Sequence, residues 1–133
     1  MKVTKRVEFD AAHRLYKYNG PCANFHGHRY VIDVTIDGPV LENGMVVDFK
    51  ILSRQIKDFV MEKWDHALIM NRDDPKVQEM WEVGKVYIMK IDGNPTAENM
   101  VLEFWNAWKE IPGTTLVTVR LYETPDSWAE MSR

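Results

Sequence analysis

The chain has 133 residues, 45% apolar and 28% charged, with a formal net charge of −3 when its histidines are neutral. This is globular composition at single-domain size, enough to bury roughly two thirds of the unfolded surface, and the mildly acidic balance without a basic block excludes nucleic acid as the main partner. A single cysteine excludes a disulfide framework and a Cys-rich zinc finger; with no apolar run of signal-peptide or membrane-spanning length, the expectation is a soluble cytoplasmic protein with no membrane partner.

No internal repeat or linker-like stretch interrupts residues 1–133, so one domain is expected. Val3, Val7, Phe9 and Ala11 share one parity, as do Tyr30, Ile32, Val34 and Ile36, which predicts two half-buried antiparallel strands. Asp37-Gly38-Pro39 stops the second. Val40 to Asp48 reads as an extended return with a turn at Glu42-Asn43-Gly44. From Phe49 the spacing of Leu52, Ile56, Phe59, Val60 and Lys63 changes to three and four, giving an amphipathic helix to about Trp64 with Asp48 as its cap. After a segment led by Pro75, Lys85 to Ile91 reads as a short strand. Asp92-Gly93-Asn94-Pro95 then introduces a second helix, with Pro95 in its first turn, Asn94 or Thr96 as cap, and Met100, Val101, Phe104, Trp105 and Trp108 as its apolar stripe. Pro112-Gly113 ends that helix. Leu116 to Tyr122 alternates as a central strand, and a last strand lies near the C-terminus. The sum is an α+β domain whose antiparallel sheet is covered on one face by two helices.

His26 and His28 open the second strand two residues apart and so project to one side. His13 ends the first strand on the parity of Phe9 and Ala11, and antiparallel pairing brings it beside them. Three neutral imidazoles with one open position form the ligand set of a catalytic zinc. Any one of these histidines alone reads as incidental; their joint placement at strand ends points to a metal. Cys22 lies four residues before His26 in an irregular loop. It reads either as a small buried hydrophobe or as a thiolate favoured by a nearby cation. Asp65-His66 follows the first helix. Adjacent side chains rarely bond each other productively, so the two are expected to act on a third group, with turn chemistry as the plain alternative for Asp65. Glu123 is a solvated strand-end residue or a carboxylate that takes two parallel hydrogen bonds from a guanidine-like edge, and Glu98 is either a helix-dipole acid or a pocket residue.

In this order, Phe9-Asp10-Ala11-Ala12-His13-Arg14-Leu15, Cys22-Ala23-Asn24-Phe25-His26-Gly27-His28, Gly44-Met45-Val46-Val47-Asp48-Phe49, Asp65-His66, Pro95-Thr96-Ala97-Glu98-Asn99 and Tyr122-Glu123-Thr124 resemble the family of 6-pyruvoyl-tetrahydropterin and 6-carboxytetrahydropterin synthases over nearly the whole chain. The three residues between Cys22 and His26, together with Asp48-Phe49, look like the bacterial carboxy branch. The resemblance implies a T-fold (tunnelling fold), with a four-stranded antiparallel sheet and two helices packed on one face. It implies Zn2+ on His13, His26 and His28, proton transfer by Cys22 with Asp65 and His66, and a pterin anchored by Glu123 in a pocket lined by Thr96 and Glu98. The implied reaction converts 7,8-dihydroneopterin triphosphate to 6-carboxy-5,6,7,8-tetrahydropterin with loss of triphosphate and acetaldehyde, on the route to 7-deazaguanines such as queuosine. The alternatives are a 6-pyruvoyl-tetrahydropterin synthase and a non-catalytic zinc- and pterin-binding module. Relatives imply a homohexamer, a dimer of trimers, with the Asp-His pair supplied across a subunit boundary. Two departures from the compact members stand out: the longer stretch from Asp73 to Asp92, and the tail from Asp126 to Arg133.

Overall fold

The computed structural model describes residues 1–133. Two twelve-residue strands, β1 (Lys2–His13) and β2 (His26–Asp37), pair antiparallel from Lys2↔Asp37 to His13↔His26. Their odd and even parities place Val7, Phe9 and Ala11 on the same buried face as Tyr30, Ile32 and Val34, as the alternation predicts. The loop between them carries one 3-10 turn, Pro21–Ala23. Asp48 caps α1 (Phe49–Lys63) by accepting from the Lys50 amide at 2.8 Å. A short β3 (Leu68–Asn71), α2 (Lys76–Gly84) and β4 (Ile88–Ile91) follow, then α3 (Ala97–Ala107), β5 (Thr115–Thr124) and β6 (Ser127–Ser132).

The sheet has six strands in the order β4-β3-β1-β2-β5-β6. Four neighbouring strands, β1, β2, β5 and β6, pair antiparallel, whereas β3 pairs parallel with both β1 and β4. The expected four-stranded antiparallel sheet is therefore the middle and one flank of a larger mixed sheet. Leu68–Asn71 escapes an alternation search because all four residues are buried, and a run of that length without a period is ambiguous. The helices number three rather than two. The extra one, α2, has no buried residue, so it lacks the long apolar stripe by which the other two announce themselves.

Two local expectations also change. Val40 to Asp48 forms no strand: Leu41 N–H donates to Met45 O at 2.8 Å and Gly44 N–H to Leu41 O at 2.9 Å, folding the segment on itself around Gly44, whose φ of 80° suits glycine. Pro95 lies before the helix rather than in its first turn, and Thr96 is the cap, accepting from Asn99 N at 3.3 Å.

The core lies between the sheet and the helices α1 and α3, with Phe9, Tyr30, Ile32, Leu52, Ile56 and Phe104 at its centre. Phe9 and Tyr30 stack at 5.1 Å, and the Tyr30 hydroxyl reaches toward His13 at the loop end of the β1–β2 hairpin. No helix is long and apolar enough to cross a membrane.

Candidate active site

The end of the hairpin assembles three imidazoles. His13 is the direct cross-strand partner of His26, and His28 is two residues further along β2 on the same side. One ring nitrogen from each lies within 4.8 Å of the others. Between the two β2 imidazoles, Gly27 pairs with Ala12 across the ladder. His13 is 2% exposed.

Backbone carbonyls fix the tautomers. Pro95 O can only accept, so His13 Nδ1, at 2.7 Å, carries the proton; the Tyr30 hydroxyl lies 3.2 Å from the same nitrogen. His26 Nδ1 likewise donates to Asn24 O at 2.7 Å. Both neutral rings then present a bare lone pair on Nε2, and those two atoms stand 3.1 Å apart. Facing lone pairs repel unless a proton or a cation lies between them. A shared proton is disfavoured because burial pulls the His13 pKa below its ordinary value, against opposing help from the Pro95 carbonyl and Glu123. Burial also lowers the pKa of His28, and its Nε2 is a buried atom without a hydrogen-bond partner. Neutral imidazole is the form that binds metal. The donor set thus fits a divalent cation of the zinc class, with carbonyls behind the rings as orienting groups.

Glu123, near the end of β5, leans over this cluster, its carboxylate oxygens 3.5 Å from His28 Nε2 and 3.9 Å from His13 Nε2. A cleft of about 240 Å³ brings His13, Cys22, Thr96, Glu98 and Glu123 together, with Ser127 and Trp128 of β6 on its rim. The tail beyond Asp126 is therefore part of the wall. Cys22 is half-buried in a loop held at its base by Leu15 N–H to Cys22 O at 2.9 Å. Asn94 mimics a strand partner for this loop, accepting from Tyr16 N at 2.8 Å and donating to Tyr16 O at 2.9 Å.

Asp65 and His66 are outside that cleft. His66 lines another depression with Asp10, Ala12, Gly27 and His28, Asp65 Oδ1 accepts from Asp10 N at 3.2 Å beside it, and the His66 side chain is 80% exposed. Contrary to expectation, the neighbours do bond each other: His66 Nδ1 donates to Asp65 Oδ2 at 2.7 Å. The reason is the left-handed backbone of His66, φ 58°, which departs from the geometry of ordinary adjacent residues. A larger groove of about 540 Å³ between α1 and α3, lined by Ile51, Phe59, Phe104 and Trp108 among others, contains no imidazole or thiol.

Two contributors were invisible in the residue pattern. Pro95 acts through its carbonyl, which no side-chain motif reports. Tyr30 reads as core by parity, and only its contact with His13 Nδ1 shows where its hydroxyl points.

Three imidazoles that could hold a metal ion thus stand beside a thiol and a carboxylate at one end of an α+β sheet. The sequence model of the 6-pyruvoyl tetrahydropterin synthase family matches residues 2–133, and the chain belongs to that family. It is 37% identical to the 6-carboxy-5,6,7,8-tetrahydropterin synthase of Rickettsia bellii, over 98% of this chain and 99% of the relative. It is 32% identical to the enzyme of that name from Haemophilus influenzae, over 97% and 96%. Among solved structures, Caenorhabditis elegans 6-pyruvoyl tetrahydropterin synthase is similar with a TM-score of 0.73 at 25% identity, covering 100% of this chain and 95% of that one. An uncharacterized Wolinella succinogenes protein reaches 0.81 at 23% identity, covering 99% and 97%.

Proposed function

We propose that this chain is a zinc-dependent 6-carboxy-5,6,7,8-tetrahydropterin synthase, a lyase that converts 7,8-dihydroneopterin triphosphate to 6-carboxytetrahydropterin with release of triphosphate and acetaldehyde, in 7-deazaguanine (queuosine) biosynthesis. The observation that carries this reading is the cleft that brings Cys22 and Glu123 together with His13, the buried member of the His13, His26, His28 cluster, on a chain whose named relatives include carboxy synthases. His13, His26 and His28 would hold the zinc, which when bound would supply Lewis acidity toward a substrate oxygen. Cys22, as thiolate, takes a carbon-bound proton in this scheme. Glu123 accepts two parallel hydrogen bonds from the amino-oxo edge of the pterin, the geometry that a carboxylate offers to any guanidine-like group. Thr96 and Glu98 line the ring's side of the cleft.

Asp65 polarises the His66 imidazole and the pair relays a proton to the site of a neighbouring subunit, in a homohexamer built as a dimer of trimers. Three features support the shared site: the pair's exposure, its separation from the Cys22 cleft, and the small volume of that cleft compared with the roughly 300 Å³ or more typical of pockets for drug-sized ligands. Unpaired edges at β4 and β6 give such an assembly strands to protect.

The test is the product formed from 7,8-dihydroneopterin triphosphate by the zinc-loaded protein under anaerobic conditions. The mass of 6-carboxytetrahydropterin with acetaldehyde in the medium is expected. Retention of all three side-chain carbons identifies a pyruvoyl synthase instead, and tight pterin binding without turnover identifies a binding module.

A further inference from the structure

Arg14 directly follows His13, and Phe25 directly precedes His26. Nε and Nη2 of Arg14 donate to the two carboxylate oxygens of Asp74 at 2.6 and 3.2 Å. The Asp74 side chain is fully buried and that of Arg14 is 14% exposed. On its other side, the guanidinium carbon stands 5.4 Å from the centroid of the Phe25 ring, within cation–π range. Asp74 is held from behind: its Oδ1 accepts from Lys76 N at 3.0 Å, and its own N–H donates to Asn71 O at 3.0 Å.

A buried ion pair is a poor way to gain stability, because desolvating both charges competes with their attraction. What a planar fork on a fixed carboxylate provides is orientation. Orientation matters at this place. The connection between β1 and β2 leaves the sheet after His13, returns at His26, and carries Cys22 between them. One guanidinium is attached at the first end of that loop and packs on the ring at the second.

We propose that Arg14, clamped by Asp74, is the positioning residue of the Cys22 loop, and that the Phe25–Arg14–Asp74 stack fixes how Cys22 stands over the histidine cluster. This rests on the reading of Cys22 as the proton-transfer group. The connection from β3 to α2, which contributes nothing to the cleft wall, thereby controls the geometry of the reacting thiol.

The experiment compares wild type with Asp74→Asn, Arg14→Lys and Phe25→Leu in the zinc-loaded, full-length protein. For each it measures kcat, KM for 7,8-dihydroneopterin triphosphate, zinc per chain, and the rate of Cys22 alkylation by iodoacetamide. Misplacement predicts a kcat loss of roughly 10- to 100-fold with KM nearly unchanged, zinc retained, and alkylation several-fold faster as the loop loosens. Arg14→Lys keeps the charge without the fork and is expected to match Asp74→Asn; wild-type behaviour of the lysine variant overturns the proposal. So does a set of folded variants whose alkylation rates match wild type, whatever their melting temperatures. Phe25 is 39% exposed, so Phe25→Leu tests the stack even where the ion-pair variants do not fold, and it should lower kcat and speed alkylation as they do, each by less. If wild type shows no turnover, the functional reading fails while the alkylation comparison still decides the brace.

Discussion

His13 and His26 face each other across the β1–β2 ladder with both Nδ1 protons already donated to carbonyls and their Nε2 atoms 3.1 Å apart. An arrangement that repels itself when empty is stabilised by whatever cation fills it. Zinc added to metal-stripped protein at about 100 times its Kd should therefore add about 2.7 kcal/mol of stability. That corresponds to a rise in melting temperature of about 10 °C for a chain of 133 residues. His28→Ala should abolish most of the rise, as thermal melts with and without zinc will show; an unchanged response would remove His28 from the ligand set.

The exposed Asp65–His66 pair and the cleft holding Cys22 are separate on one chain, which makes subunit complementation decisive. Cys22→Ala and His66→Ala homomers should each lose at least about 10²-fold in kcat, the former with zinc still bound. Mixing them through denaturation and refolding should restore a fraction of wild-type activity, because some interfaces then combine an intact Cys22 with an intact His66. Activity that stays at the level of the separate variants would place both groups on one subunit.

Glu123 is close enough to His28 Nε2, at 3.5 Å, that two roles must be separated: holding the ring or holding the metal. Glu123→Gln should lower kcat/KM by about 10²-fold, the loss expected for charge-assisted bonds worth about 1.5–3 kcal/mol each. Zinc affinity measured by chelator competition should remain close to wild type. A large fall in zinc affinity would reassign the carboxylate to the metal.

Glu103 of α3 supplies a pH test remote from the cleft. Its Oε2 and the Trp64 Nε1 are both buried without a hydrogen-bond partner. Burial raises its pKa above the ordinary 4.5, opposed mainly by the charge of Lys63 and by the neighbouring Trp64 indole N–H. The folded state therefore holds this proton more tightly than the unfolded chain. Stability contributed by the group is complete below pH 4.5 and is lost as pH rises through the elevated folded value. Glu103→Gln should melt higher than wild type at pH 7, with the advantage shrinking as pH falls toward 4.5. A constant advantage at all pH values would attribute it to packing.

The central hairpin, the capped helix at Phe49 and the strand at Leu116 are legible in the residues because each buries one face and exposes the other. β3 is hidden because it is buried on both sides, and α2 because it buries almost nothing; β3 also pairs parallel with β1 and β4, so no hairpin turn announces it. The site divides in the same way. His13, His26 and His28 follow from parity and pairing alone, whereas the Pro95 carbonyl, the direction of Tyr30 and the Arg14–Asp74 clamp depend on contacts between segments far apart in the chain. His66 shows the limit most clearly, since a bond to its own neighbour requires a left-handed backbone that nothing around it in the sequence announces.

Gly27, between the two histidines of β2, has ordinary strand pairing and no positive φ to explain it. A Cβ at that position would stand 3.1 Å from the Ala11 carbonyl oxygen and 3.8 Å from Ala12 Cα. Both are backbone atoms of the strand that carries His13, and a main chain cannot turn aside as a side chain can. Alanine at this position would press the Ala11 carbonyl aside by a few tenths of an ångström at the end where three rings must meet. The middle letter of His-Gly-His thus suits a tight approach of two main chains, and a search for variants of the triad should vary the residues around the rings while leaving that glycine in place.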